Sequence, residues 1–230
     1  MEPHSLAPRI ICLVTGYAFG LIQTSYFIGK AKGIDIRDYG SGNAGTTNTM
    51  RTLGKKAGII TLAVDMLKAI AAIFISWLLF HNTYPEIMPL LKVYAGAGVV
   101  LGHDFPFYLN FRGGKGIAAT AGMIIGMWNL EIFIFEAFVF FPVFFITHYV
   151  SLGSLLLYVG FVVISIILGQ LHVGEFAVMS RSALCEMYIV LLVLTALAFY
   201  RHRDNIKRLL NGTERKTYLG KKKGGEQDGK

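Results

Sequence analysis

Five long apolar runs, at positions 10–28, 57–80, 132–150, 152–171 and 183–200, constrain this chain more than any other feature. A helix needs about 20 mostly apolar residues to cross a hydrocarbon layer of about 30 Å at about 1.5 Å per residue, and each run is of that order. Two shorter apolar runs, 93–101 and 117–128, suit half-depth, broken or obliquely packed helices. The expectation is an all-α integral membrane protein of about seven helical segments, five long spans and two short helices. Composition agrees. The chain is 54% hydrophobic and 16% charged, against about 45–50% and about 25% in a soluble domain. That balance argues against a soluble fold, a disordered chain and, despite the net charge of +8, a nucleic-acid binder. Cys12 and Cys185 both fall in apolar runs, which argues against a disulfide framework and a cysteine zinc site.

Sidedness is read from lysine and arginine. Ahead of the first run stands Arg9 alone, with no Ala-x-Ala site after it, so a retained span is expected rather than a cleaved signal. Lys30, Lys32, Arg37, Arg51, Lys55 and Lys56 separate the first two spans. Arg112 and Lys115 lie between the short helices, and Arg201, Arg203, Lys207, Arg208 and Lys221–Lys223 follow the last span. The opposite parity holds only Arg9, Lys92 and Arg181. Positive charge stays on the cytoplasmic side, which predicts an external N-terminus and a cytoplasmic C-terminus. Lys68 lies inside the second span, where a lone lysine costs about 2.5–3.5 kcal/mol. Asp65, three positions earlier on the same helical face, predicts a structural ion pair. Glu136 and Glu186 are similarly isolated and receive no role.

Three polar stretches fall on the basic side. The first, Gly40-Ser41-Gly42-Asn43-Ala44-Gly45-Thr46-Thr47-Asn48 with Arg51, combines glycines that bend the backbone, small hydrogen-bonding side chains and a guanidinium fork suited to phosphate. A helix cap needs one such residue, and here several crowd beside a basic cluster. The second stretch ends in Gly113-Gly114-Lys115-Gly116 and enters a short helix at Ile117, an arrangement that makes an anion site from backbone N–H groups and the helix dipole. It lacks the spacing of a Walker A loop. In the third, His202 and Asn205 share one face of a helix that Gly212 ends. Lys221–Lys223 read as a lipid anchor.

Together these stretches resemble the bacterial acyl-phosphate:glycerol-3-phosphate acyltransferases, multi-pass enzymes that begin phospholipid synthesis. The resemblance rests on GSGNAGTTNTMRTLGKKAG (Gly40–Gly58), GHDFPFYLNFRGGKG (Gly102–Gly116) and HRDNIKRLLNGTE (His202–Glu214), and covers roughly residues 10–216. It implies a single membrane-embedded acyltransferase domain over 1–216 and a flexible basic cytoplasmic tail over 217–230. Ser41, Asn43, Arg51, Lys115, His202 and Asn205 would be catalytic. Arg51, Gly113, Gly114, Lys115 and Gly116 would bind substrate phosphate. Thr47, Asn48, Ser151, Ser154 and Lys207 join as supporting candidates, and Glu214 would hold structure together. The family usually has proline where Ala44 stands and alanine where Thr46 stands. Neither change removes a phosphate ligand. Residues 170–181 and the end beyond Tyr218 have no counterpart in the motifs.

The implied reaction transfers an acyl group from acyl phosphate to the 1-hydroxyl of glycerol 3-phosphate, giving lysophosphatidic acid and phosphate. No cofactor and no metal are expected. The partners are the two substrates and the bilayer, with functional coupling to an enzyme that makes acyl phosphate. His202 is either the base or a residue that orients substrate while the acyl phosphate's own oxygen takes the proton. Phe105, Phe107 and Phe111 read either as interfacial anchors or as the lining of an acyl-chain entry. An acyl-CoA-type enzyme with an H-x-x-x-x-D pair is disfavoured, because no histidine has aspartate at that offset. The remaining alternative is a multi-pass anion transporter with a cytoplasmic-face phosphate site.

Overall fold

The structure is a computed structural model that describes residues 5–218. Lys221–Lys223 and most of the 217–230 tail lie outside the described residues. The apolar runs become helices because a backbone surrounded by lipid must satisfy its own polar groups. Ten α-helices are described: α1 (Leu6–Gly20), α2 (Thr24–Ala31), α3 (Thr46–Leu53), α4 (Lys55–Phe80), α5 (Met88–Asp104), α6 (Ile117–Gly126), α7 (Leu130–Thr147), α8 (Val150–Gln170), α9 (Arg181–Arg201) and α10 (Arg203–Leu210). Five stretches are long and apolar enough to cross a membrane: Leu6–Ala31, Lys55–Phe80, Leu130–Thr147, Val150–Gln170 and Arg181–Arg201.

The expectation of about seven segments is therefore corrected to ten helices among the described residues. The first span is divided between α1 and α2 around residues 21–23, where Gln23 is fully buried. The run expected at 93–101 extends in both directions to the 17 residues of α5, nearly all buried. Pro89, Lys92, His103 and Asp104 had masked its length, yet all four are buried in the bundle. Lys92 is neutralised by Glu175 at 2.7 Å and donates to the Met127 carbonyl at 2.8 Å. The short helices α3 and α10 lie in stretches too polar to read as spans.

α5 is the centre of the bundle and packs most closely on α1. Gly16 and Gly20 of α1 meet Gly98 and Gly102 of α5 so tightly that an added Cβ would strike the facing backbone. Small residues let helix backbones touch, which substitutes in lipid for the missing hydrophobic drive between helices. Apolar side chains from α5, α6, α8 and α9, among them Leu90, Leu91, Val99, Met123, Phe161, Met187 and Leu191, fill the core.

The Asp65–Lys68 pair forms as expected, at 2.8 Å and almost without solvent contact. Removing one member of such a pair costs about 3–5 kcal/mol. Arg9 pairs with Glu186 at 2.6 Å, and Tyr94 donates to the same carboxylate at 2.8 Å. α7 reaches this core with Ile132 and, less fully, with Phe135 and Phe140. It packs mainly on α8 and turns Phe133, Ile134, Phe138, Phe141, Phe145 and Ile146 outward.

Candidate active site

The three polar stretches meet at one end of the bundle. Arg37, just ahead of the first, donates to the Leu109 carbonyl of the second at 2.9 Å, and the Ala44 carbonyl of the first packs against Gly114. Lys115 Nζ donates to Asn205 Oδ1, and Arg201 Nη2 donates to the carbonyls of Gly113 and Gly114. Arg51 reaches Thr217 Oγ1 at 3.3 Å and lies within electrostatic range of Arg208, Glu214 and Arg215.

The first stretch is organised by Asn48. Buried in the first turn of α3, its amide donates to the carbonyls of Ile36 and Tyr39 at 3.1 and 3.0 Å, and its Oδ1 accepts the Ser41 N–H at 2.8 Å. Gly40 has φ +63 and sits against Asn48, where a side chain would collide. Asn48 thus holds the turn that presents Ser41. Ser41 and Asn43 lie on the outer part of the loop, where Asn43 Nδ2 donates to Ser41 O at 3.1 Å and to its Oγ at 3.3 Å. Thr47 is half-buried in the first turn of α3.

The glycine loop is clamped from two sides. The N–H groups of Gly113 and Gly114 donate to the carbonyls of Asp104 and His103, each at 3.1 Å, while Arg201 holds their own carbonyls. Those two amides are therefore engaged within the protein. Beyond them come Lys115, Gly116 and the first turn of α6, whose N-terminal N–H groups lack partners inside the helix. Gly116 enters α6 in the left-handed region, at φ +70. The Gly113 and Gly114 N–H groups, expected to be open to an anion, thus bond to main-chain carbonyls, and a Cβ at either glycine would strike His103 or the neighbouring backbone.

On the third stretch, His202 is buried and its Nδ1 lies 2.8 Å from the Ala198 carbonyl. A carbonyl only accepts, so Nδ1 carries the hydrogen and Nε2 presents a lone pair. Burial, with the nearby Lys115 charge, lowers the His202 pKa to about 4, so the ring is neutral at physiological pH. Burial, together with the charge of Arg208, lowers the Lys115 pKa to about 8.

Glu214 ties the site's edge together. It accepts from Asn205 Nδ2 at 2.6 Å, Arg208 Nε at 2.7 Å and Ser151 Oγ at 2.9 Å. Burial alone would raise its pKa, but these bonds outweigh burial and lower it. Ser154 is fully buried and its hydroxyl donates within α8 to Val150 O at 2.7 Å, so it faces its own helix. Lys207 stands exposed on α10. Phe107 and Phe111 are exposed and Phe105 half-buried, with the Arg201 guanidinium over the Phe105 ring.

Sequence reasoning gave no role to His103, Asp104, Arg201 or Thr217. Arg201 and Asp104 face each other at 3.8 Å, and together with His103 they hold the glycine loop. The signal for them was place alone: His103 and Asp104 fall inside the second motif, and Arg201 and Thr217 flank the third.

Comparison with known proteins places this geometry in context. Residues 10–212 match the glycerol-3-phosphate acyltransferase family. A glycerol-3-phosphate acyltransferase of Clostridioides difficile (strain 630) is 45% identical over 216 residues, covering 93% of this chain and 97% of that one. The Bacillus subtilis (strain 168) enzyme of the same name is 39% identical over 207 residues, covering 90% and 96%. Among solved structures, PlsY, an integral membrane glycerol 3-phosphate acyltransferase, aligns in its glycerol 3-phosphate form with a TM-score of 0.76 and 30% identity. The alignment covers 91% of this chain and 96% of that one. A match across nearly the whole membrane bundle, taking in the first two polar stretches and the His202–Asn205 helix, shows that this chain belongs to the glycerol-3-phosphate acyltransferase family.

Proposed function

We propose that this chain transfers an acyl group from acyl phosphate to the 1-hydroxyl of glycerol 3-phosphate, releasing lysophosphatidic acid and inorganic phosphate. The observation that carries this reading is the convergence of Lys115, Asn205, His202 and Arg51 around one glycine loop at one end of the bundle. The forms in which the solved PlsY neighbour was crystallised, with glycerol 3-phosphate and with lysophosphatidic acid, support substrate and product of this kind.

The chemistry follows from the charges. Two phosphorylated substrates repel in inverse proportion to their separation. Arg51, Lys115 and the N-terminal turn of α6 offset that repulsion, and holding the reactants together removes much of the entropic part of the barrier. The glycerol 1-hydroxyl oxygen attacks the acyl carbon, and the bond from that carbon to the phosphate oxygen breaks. Phosphate leaves with the electron pair and takes up the hydroxyl proton. Ser41, Asn43 and Asn205 supply donors for the developing oxyanion. With a conjugate acid near 4, His202 is a weak base. Its Nε2 orients the glycerol hydroxyl while the acyl phosphate's oxygen accepts the proton.

Of the 1–216 unit, the described residues from 5 onward act as a single membrane-embedded domain, and residues 1–4 lie outside the described residues. The basic distribution favours the cytoplasmic face for the site, within reach of an enzyme that makes acyl phosphate. The test is phosphate release by the purified protein with acyl phosphate, acyl-CoA or acyl carrier protein as donor. Release is expected from acyl phosphate alone, to require glycerol 3-phosphate, and to fall about a hundredfold, to a still measurable rate, in Lys115→Ala. Indifference to the donor, or full activity of that variant, overturns the reading. Uptake of phosphate by vesicles without acyl transfer would turn it into a transporter.

A further inference from the structure

Beneath the glycine loop lies a group of buried charged side chains that the reaction above does not use. Lys68 of α4 has three N–H donors, and each has a near partner: Asp65 Oδ1 at 2.8 Å, the Ile22 carbonyl at 2.8 Å and His103 Nδ1 at 2.9 Å. The Gly20 carbonyl lies further off, at 3.4 Å. Thr24 Oγ1 approaches Asp65 from the start of α2 at 3.5 Å. One ammonium therefore joins the break in the first span, the second span and the last turn of α5. Lys68, Asp65 and His103 are all buried.

The bond to Lys68 fixes the imidazole. An ammonium cannot accept, so His103 Nδ1 does, and the ring hydrogen sits on Nε2. That nitrogen is turned toward Gly114, at the place a side chain on Gly114 would occupy. The His103 carbonyl also accepts the Gly114 N–H at 3.1 Å and the Gln23 amide at 3.0 Å. Both the ring and the main chain of His103 thus bear on the residue next to Lys115.

We propose that Lys68, anchored by Asp65, is a positioning residue for the glycine loop and acts through His103. This deepens the proposed function and rests on reading the loop as a substrate-phosphate site. Lys68 does not touch substrate. It sets where Gly114 lies, and so where Lys115 and the first turn of α6 meet the phosphate. A displacement of about 1 Å at such a site costs about a hundredfold in rate, so a loop that settles slightly differently is enough to lose most of the activity.

The test is a mutant cycle on the purified full chain, with thermal midpoint and monodispersity measured beside kcat and KM for both substrates. The double variant Asp65→Asn/Lys68→Met replaces the ion pair by neutral groups of similar shape, which avoids a lone buried charge. It is expected to fold and to lose between about tenfold and about a hundredfold in kcat/KM for glycerol 3-phosphate. Adding Lys115→Ala is expected to take away little more than Lys115→Ala does alone, because residues acting through one loop are not additive. His103→Gln, which leaves the Asp65–Lys68 pair intact, is expected to show the same non-additivity if the double variant is poorly folded. Retention of kcat/KM in both, or losses that multiply with that of Lys115→Ala, overturns the proposal while leaving the function standing. Wild-type activity in Lys115→Ala removes the function reading, and the proposal with it.

Discussion

At the scale of single residues, two titratable groups at the site carry opposite consequences for pH. Lys115 has its pKa lowered to about 8, so it is charged below that pH and neutral above it. A neutral amine attracts phosphate poorly, and kcat/KM reports the free enzyme. A fall in kcat/KM as pH rises through about 8 is expected, and Lys115→Arg should remove it, since a guanidinium stays charged beyond about pH 12. His202 behaves differently. Its pKa near 4 predicts no acid limb in the range of ordinary histidines, and His202→Gln should keep at least about a tenth of wild-type kcat, because an amide can still orient a hydroxyl. Steady-state rates across pH check both, and a loss of several orders of magnitude in His202→Gln would make the ring the base. That Lys115, His202 and Asn205 would come together was legible in sequence, because the stretches that carry them all fall on the basic side of the apolar runs. Arg201 was not. It looked like any basic residue after a final span, and only the return of the chain beneath α5 puts its guanidinium on the Gly113 and Gly114 carbonyls.

Among elements, the contact between α1 and α5 holds the bundle's centre. Gly98 faces Leu13, Gly16 and Tyr17 backbone, with no room for a side chain, whereas a Cβ on Gly45 would meet open space. Overpacking commonly costs about 1–3 kcal/mol, and here the obstacle is main chain that no rotamer change can move. Gly98→Val is expected to lower the thermal midpoint sharply or to prevent recovery of monodisperse protein, while Gly45→Ala leaves the midpoint near wild type. Equal midpoints would show that the helices can part without penalty. The five spans were readable because hydrocarbon thickness sets a length that sequence cannot disguise. α5 was only half readable, because Lys92 and His103 look like breaks in an apolar run until Glu175 and Lys68 are seen to satisfy them. α3 was hidden for the opposite reason, and α10 was read as a continuation of the last span, whereas the chain turns at His202 between α9 and α10. Each is eight residues long and largely polar, so it depends on neighbours rather than on its own periodicity.

For the molecule as a whole, the gathering of three basic stretches at one end implies that they share one side of the membrane. Single cysteines at Lys32 and Arg112, in a background lacking Cys185, should react with an impermeant thiol reagent only from the cytoplasmic side. One at Asn82, beyond the other end of α4, should react only from outside. Labelling of all three from the same side would break the topology. A different consequence follows from the loose attachment of α7. At 18 residues it is about 27 Å long, slightly short of an average hydrocarbon layer, and it leans mainly on α8. Its far end carries His148, whose carbonyl takes the Thr217 N–H at 2.9 Å, and Thr217 in turn touches Arg51. Hydrophobic mismatch is relieved by tilt, and a helix with one main neighbour tilts most readily. In vesicles of graded acyl length, turnover should therefore peak at one bilayer thickness and decline on either side, so that the lipid this enzyme helps to make also tunes Arg51, the guanidinium proposed to hold substrate phosphate.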